Sequence, residues 1–189
     1  MEAMFDHRDD DPANLAQRVT YDWHRLPMPV IGALHGNCIG GGAQLALATD
    51  IRIAAPDTRI SILEVKYGLI PDMGITQTLP HLIGLDVAKE LVWTGRKVEA
   101  DEALRIGLVT RIADDPRAAA LDLAREIASR SPDAIRRGKR LLNEAAWAHA
   151  EESLALEEEL QRELLGSPNQ VAAVQAAFSK QPAEFTDPS

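Results

Sequence analysis

The chain has 189 residues, with 29 acidic and 20 basic side chains and a formal net charge of −9. Hydrophobic residues make up 46% and charged residues 26%, a globular balance that suits one domain with a sizeable core, or one domain with a short appendage. An acidic chain without a Lys/Arg run argues against nucleic acid or an anionic membrane as partner. No apolar stretch approaches bilayer-spanning length. The start, MEAMFDHRDDDP, is acidic and carries no apolar signal core, which predicts a cytoplasmic protein. The single cysteine, Cys38, excludes an internal disulfide and fits a reducing compartment. The five histidines show no metal-ligand spacing, so no metal site is expected.

In chain order, the first pattern is a helix. Pro12 suits its first turn, after the acidic run Asp9-Asp10-Asp11, and Leu15, Val19 and Trp23 recur four apart, with Leu26 completing the stripe. Pro27 and Pro29 end it. Val30 to Leu34 reads as a short buried strand of the kind found in parallel sheets. A glycine turn over Gly36 to Gly42 leads into a helix over Ala43 to Ala48. Ile51 to Ala55 and the alternating Arg59 to Ile62 are further strands, and Gly68 to Gly74 is a loop containing Pro71. Helices follow at Asp86 to Trp93, closed by Gly95, and at Glu99 to Ile106, closed by Gly107. Leu108 to Ile112 reads as a strand. Four helical stretches follow Pro116: one marked by Ala120, Ala124 and Ile127, one over Ile135 to Trp147, one marked by Leu156, Leu160 and Leu164, and one opened by Pro168 with Val171, Val174 and Phe178. The tail from Gln181 is irregular. The order is α/β first, then all-α, which divides the chain into 1–115 and 116–189.

The glycine segment has several readings. A phosphate-binding loop needs a Lys after its last glycine, and none follows Gly42. The spacing of Gly36, Gly40, Gly41 and Gly42 does not give a dinucleotide fingerprint, and Gly-x-Ser-x-Gly is absent. A tight turn where only glycine fits is the plainest reading. The functional one is an anion hole, since glycines at a helix start expose backbone N–H groups to a developing oxyanion.

The residues also carry a resemblance. The run Pro29-Val-Ile-Gly-Ala-Leu-His-Gly-Asn-Cys-Ile-Gly-Gly-Gly-Ala-Gln-Leu-Ala-Leu-Ala-Thr-Asp50 resembles the signature of the crotonase (enoyl-CoA hydratase/isomerase) family. So do Glu64-Val-Lys-Tyr-Gly-Leu-Ile-Pro-Asp-Met-Gly74, Leu91-Val-Trp-Thr-Gly95-Arg, Ala100-Asp-Glu-Ala-Leu-Arg-Ile-Gly-Leu-Val109 and the closing Phe178…Phe185. The likeness is collinear from about Trp23 to Phe185. It implies an α/β fold, a spiral of β-β-α units followed by C-terminal helices that assemble trimers, often paired into hexamers. Members of the family begin with a further β-rich segment that supplies the first oxyanion-hole N–H and contacts to the CoA adenine. This sequence starts after it, so Met1 is either an internal methionine of a longer chain or the start of a truncated product.

The resemblance further implies an acyl-CoA thioester as substrate, with CoA entering as part of that substrate and no separate cofactor. Gly41 matches the second oxyanion-hole donor, with Ile39, Gly40, Gly42 and Pro71 lining the substrate. The two acid/base positions of the hydratases match Gln44 and Glu64. An amide holds a water but cannot exchange a proton near neutral pH, so Gln44 counts against efficient hydration and favours isomerisation with Glu64 as base. Asp72, eight residues after Glu64, matches the second proton carrier of the dienoyl-CoA isomerase branch; the other reading of Asp72 is a cap on the helix starting near Gly74. Alternatives to an isomerase are a 2-enoyl-CoA hydratase of fatty acid β-oxidation, a thioester hydrolase and a non-catalytic CoA-binding or scaffold subunit. Trp93, Trp147 and Cys38 are expected in the core, and Glu157 to Glu159 on a solvated helix face.

Overall fold

The computed structural model describes residues 2–7 and 11–188. These form two compact units, one comprising Val30–Ala120 with the described residues before Pro27, the other Pro27–Pro29 with the chain from Leu121 onward.

The first unit repeats a β-β-α pattern. β1 (Ile31–Leu34) and β2 (Asn37–Ile39) are followed by α2 (Gly41–Leu47), and β3 (Ile51–Ala54) and β4 (Arg59–Ser61) by α3 (Leu79–Leu82) and α4 (Leu85–Thr94). A third turn carries β5 (Val98–Glu99), α5 (Ala100–Ile106) and β6 (Arg111–Ile112). The strands of successive turns stack into two three-stranded sheets, β1-β3-β6 and β2-β4-β5. β1 and β3 run parallel with Ile31 opposite Ile51 and Ala33 opposite Ile53. β2 and β4 run parallel with Cys38 opposite Ile60 and Ile39 opposite Ser61. Ala43, Ala54, Ile60, Ile62, Leu91, Val98, Ala103 and Leu108 are buried in one cluster between these layers. The alanines let helix and strand backbones approach closely, while the β-branched residues fill the sheet faces. Gly95 and Gly107 close α4 and α5 in the left-handed conformation.

The sequence reading differs from this structure at particular places. Asn37–Ile39 is a strand, not part of a glycine turn; with only three residues between glycines it has no periodicity to read, and its pairing with β4 makes it a strand. Glu64–Tyr67, to which the sequence reading assigned no element, is a short 3-10 turn. The strand expected over Leu108 to Ile112 is reduced to β6, although the Thr110 N–H still donates to the Arg52 carbonyl at 2.8 Å. Asp9 and Asp10 of the expected helix start lie outside the described residues.

α1 (Leu15–Arg25) starts three residues after Pro12. Asn14 and Gln17 form a reciprocal capping box, each side chain accepting from the other's N–H at 3.0 Å. Its buried face is Ala16, Arg18 and Thr20, not the apolar stripe: Leu15 is 45%, Val19 50% and Trp23 43% exposed. The small residues Ala16 and Thr20, four apart, face inward because a backbone segment passes close to them. A Cβ placed on Gly74 would lie 3.2 Å from the Thr20 hydroxyl. Trp93 and Trp147 are likewise exposed rather than in the core, Trp93 by 69%. Helical spacing marks a face but not what covers it.

In the second unit, α6 (Pro116–Ala128) continues from the first, and α7 (Pro132–Ala145) packs on α8 (Ala150–Leu164) and α9 (Pro168–Ser179). A buried polar knot joins them. Asn169 Nδ2 donates to Asp133 Oδ2 at 2.6 Å and to the Thr186 carbonyl at 3.1 Å, while Asn169 Oδ1 accepts from the Thr186 N–H at 2.9 Å. Arg137 reaches Asp133 at 3.3 Å and Glu163 at 2.7 Å. Glu157 to Glu159 are exposed on α8. Removing the Asn169 amide takes a partner from the buried Asp133 and breaks the link to Thr186. Asn169→Ala is expected to lower stability by ~1–3 kcal/mol, read as a shift of the urea midpoint at unchanged slope.

Candidate active site

The parallel β2-β4 ladder builds the site. Because Ile39 stands opposite Ser61, the segments leaving the two strands emerge side by side. Gly40 leaves β2 at φ 56°, ψ −125° and donates its N–H to the Ser61 carbonyl at 2.8 Å. That left-handed conformation requires glycine, which supports the tight-turn reading at Gly40 itself. α2 then begins at Gly41, and its first intrahelical bond runs from the Gln44 N–H to the Gly40 carbonyl at 3.0 Å. The N–H groups of Gly41, Gly42 and Ala43 precede that bond and have no partner inside the helix. The turn reading and the anion-hole reading are therefore compatible: one glycine makes the turn and the next ones present donors.

Three residues after Gly41, the side chain of Gln44 points inward and is 1% exposed. Its Nε2 donates to Glu64 Oε1 at 2.7 Å. Its Oε1 accepts from the Met73 N–H at 2.9 Å. Since only the NH₂ can donate to a carboxylate and only the oxygen can accept from an N–H, the amide has one orientation. Glu64 opens the 3-10 turn after β4 and is half-buried. Its Oε1 lies 3.6 Å from where a Cβ on Gly40 would stand. Its other oxygen, Oε2, is buried with no hydrogen-bond partner. Gln44 and Glu64, at the two positions matched to the acid/base pair of the hydratases, are directly bonded, leaving one carboxylate oxygen uncommitted.

The loop from Pro71 to Gly74 closes over this pair. Met73 lies against Gly41, its sulfur 3.0 Å from where a Cβ on Gly41 would stand, so any larger residue there displaces the thioether. The Met73 carbonyl accepts from the Thr20 hydroxyl of α1. Pro71 is half-buried and Asp72 exposed. The N-cap of the short turn Ile75–Gln77 is Gly74, so Asp72 does not occupy the capping position. The structure thus brings together Gly40, Gly41, Gln44 and Glu64 and ties the Pro71-Asp72 segment to them through Met73. Ile39 ends β2 next to this group. Gly42 lies elsewhere: with Leu45, Ala46 and Thr49 it lines, against Trp23 and β1, an apolar groove of about 280 Å³ on another face of α2. Sequence reading missed Met73 and Thr20. Met73 sat inside the quoted motif but carries no ionisable group, and Thr20 lies outside every motif.

Cys38 is half-buried, and its thiol donates to the Gly42 carbonyl at 3.4 Å. Burial pushes its pKa up to about 11.

The chain has relatives among known proteins. A sequence model described as enoyl-CoA hydratase/isomerase matches residues 2–188, and the chain belongs to that family. It is 36% identical over 161 residues to the short-chain-enoyl-CoA hydratase of Clostridium acetobutylicum, covering 84% of this chain and 62% of that protein. It is 49% identical over 119 residues to the human mitochondrial Δ(3,5)-Δ(2,4)-dienoyl-CoA isomerase, covering 61% of this chain and 36% of that protein. The crystal structure of the enoyl-CoA hydratase from Bacillus anthracis superposes with a TM-score of 0.85 at 31% identity, covering 90% of this chain and 67% of that one. The fold is the crotonase spiral of β-β-α units with C-terminal helices. The chain spans about half the length of the curated relatives it matches, 55% of mouse methylglutaconyl-CoA hydratase among them.

The raised thiol pKa gives a check on this neighbourhood. At pH 7 only ~10⁻⁴ of Cys38 is thiolate. Alkylation by iodoacetamide is expected at least ~10-fold slower than for a free thiol of pKa ~8.5, with the rate climbing as the pH approaches 11. Fast alkylation at pH 7 of the folded protein contradicts the buried, hydrogen-bonded thiol.

Proposed function

We propose that the chain carries the acid/base centre of an enoyl-CoA isomerase, acting on an acyl-CoA thioester with Glu64 as base. The observation that supports this reading best is the hydrogen-bonded Gln44–Glu64 pair, with Glu64 Oε2 left uncommitted. An uncommitted buried carboxylate oxygen costs ~1–3 kcal/mol or more, a cost that a substrate proton in its place relieves. The thioester carbonyl accepts from the Gly41 N–H. Glu64 Oε2 takes a proton from the carbon between the thioester and a 3,4 double bond. The electron pair of that C–H bond becomes the C1–C2 double bond of a dienolate, the carbonyl π pair moves onto the oxygen that the Gly41 donor stabilises, and on reprotonation at C4 the C1–C2 pair becomes the new 2,3 double bond. The protonated Glu64 returns its proton to C4, and the double bond has moved into conjugation with no net gain or loss of atoms.

Hydration is disfavoured on the same geometry. It requires a water activated by one carboxylate while a second acid delivers a proton. Gln44 cannot titrate, and both ends of its amide are already engaged. A second reading is dienoyl-CoA isomerisation. The strong match to the human dienoyl-CoA isomerase supports it, as does the attachment of the loop carrying Asp72 to Gln44 through Met73. There Asp72 would take the proton at the far end of the diene. Localisation in the cytoplasm belongs with this proposal. So does assembly into trimers, supported by the exposed Leu142, Leu154 and Phe178 on α7, α8 and α9.

Product analysis with 2-enoyl-, 3-enoyl- and 3,5-dienoyl-CoA tests the reading. Glu64→Gln is expected to lower isomerisation ~10²–10⁴-fold, the usual contribution of a general base. Gln44→Glu is expected to raise hydration of 2-enoyl-CoA selectively, by restoring a second titrating group. Intact rates in Glu64→Gln would remove Glu64 as the base, and a wild type without turnover on any of these substrates would favour a CoA-binding subunit. Asp72→Asn separates the branches: loss of turnover on 3,5-dienoyl-CoA alone assigns the dienoyl branch, and silence on all substrates leaves Glu64 as sole carrier. Light scattering across micromolar concentrations is expected to give a trimer mass or a multiple of it; a monomer throughout contradicts the assembly.

A further inference from the structure

The Met73 peptide is held from both sides by side chains. Its N–H is taken by Gln44 Oε1 at 2.9 Å, and its carbonyl by the Thr20 hydroxyl. Thr20 is 1% exposed, in the middle of α1, far in sequence from every acid/base residue. The Gln17 carbonyl, at 3.0 Å, is the other acceptor within reach of that single hydroxyl proton. In a helix that carbonyl is a fallback available to any threonine, so the Met73 contact is the specific one. The close approach is built in on the loop side too. Gly74 has φ 78°, and a Cβ there would lie 3.2 Å from Thr20 Oγ1 and 3.7 Å from the Tyr21 Cβ. A side chain at 74 would lift the loop off the helix.

We propose that Thr20 is a positioning residue, which fixes the Met73 peptide, through it the Gln44 amide, and through that the Glu64 carboxylate. The proposal rests on the acyl-CoA reading for its catalytic consequence, but its structural part stands apart from it. The chain of contacts runs Thr20 Oγ1 to Met73 carbonyl, Met73 N–H to Gln44 Oε1, and Gln44 Nε2 to Glu64 Oε1. Each link constrains the next, because Gln44 has only one donor-acceptor orientation that satisfies both partners. Without the Thr20 link the peptide of Met73 is free to rotate, its N–H leaves Gln44, and the amide loses the partner that aims it. Glu64 then keeps its charge but not a fixed direction for Oε2. In this chain of hydrogen bonds Thr20 reaches Glu64 only through Met73 and Gln44, so the expected effect falls on turnover and not on substrate affinity.

The test compares Thr20→Val, which keeps the shape and deletes the hydroxyl, with Thr20→Ser, which keeps the hydroxyl and deletes the methyl. Two readouts are taken on the full chain. One is hydrogen exchange of the Met73 amide by NMR in the free protein. The other is kcat and KM on the enoyl-CoA substrate that the wild type turns over. Thr20→Val is expected to speed Met73 exchange and to lower kcat, each by ~10-fold, the equivalent of one lost buried hydrogen bond, with KM within about twofold of wild type. Thr20→Ser is expected to restore both towards wild type. Met73 exchange and kcat unchanged in a folded Thr20→Val protein would overturn the proposal, as would a Ser variant no better than Val. If Val does not fold, Thr20→Ala, which adds no atoms, takes its place with the same expectations. A wild type inactive on all enoyl-CoA substrates sinks the catalytic reading, while the exchange measurement still decides whether Thr20 holds the Met73 peptide.

Discussion

A glutamine side chain has one end that donates and one that accepts, and in this protein both ends of Gln44 are taken by fixed partners. Most of what distinguishes the site follows from that. A glutamate at this position could not donate to Glu64 unless protonated, and two carboxylates at 2.7 Å would repel. The amide removes that conflict. It lets Glu64 sit half-buried beside the glycine turn with one oxygen anchored and one free. It also anchors the Met73 peptide, so the loop carrying Asp72 is placed by the same side chain that places Glu64.

The fold delivers these parts to one spot through strand register. β2 and β4 are three-residue strands with little stability of their own. Their parallel pairing sets Ile39 against Ser61, and Gly40 then bridges to the Ser61 carbonyl. The start of α2 and the 3-10 turn of Glu64 follow directly from the two strand ends. A slip of one residue in this ladder would turn Ile60 out of the core and carry Glu64 away from Gln44. The buried cluster of Ile60, Ile62, Ala43 and Leu91 is what opposes the slip. Packing energy in the sheet layer is thereby converted into geometry at the site.

The sequence made much of this legible, and unevenly. Gly95 and Gly107 announced the ends of α4 and α5, because a left-handed cap has a strong residue preference. Glu64, Gln44 and Gly41 could be picked out because they stood at motif positions in a recognisable order. β2 was not, since three residues carry no period, and the face of α1 was misread. Leu15, Val19 and Trp23 form the obvious stripe, yet the helix buries Ala16 and Thr20, whose small size permits the approach of Gly74. Hydrophobic periodicity reports which residues would gain from burial, while close backbone approach selects the small ones. The direct bond between Gln44 and Glu64 also lay beyond the sequence. A motif gives residue identities at matched positions but not whether two side chains span a water-filled gap or touch.

The central claim is that one carboxylate, aimed by an amide that cannot titrate, moves the proton. Isomerisation of a 3-enoyl-CoA in deuterated water tests it most directly, with the deuterium at C4 of the product counted by mass spectrometry and NMR. A proton held on the buried Glu64 Oε2 is shielded from solvent during its transfer. The account therefore predicts less than one deuterium per product molecule at C4, the remainder being the original C2 proton carried across. One full deuterium at C4 from the first turnover, with no C2 proton retained, would mean that water or a second acid completes the reaction, and would contradict it.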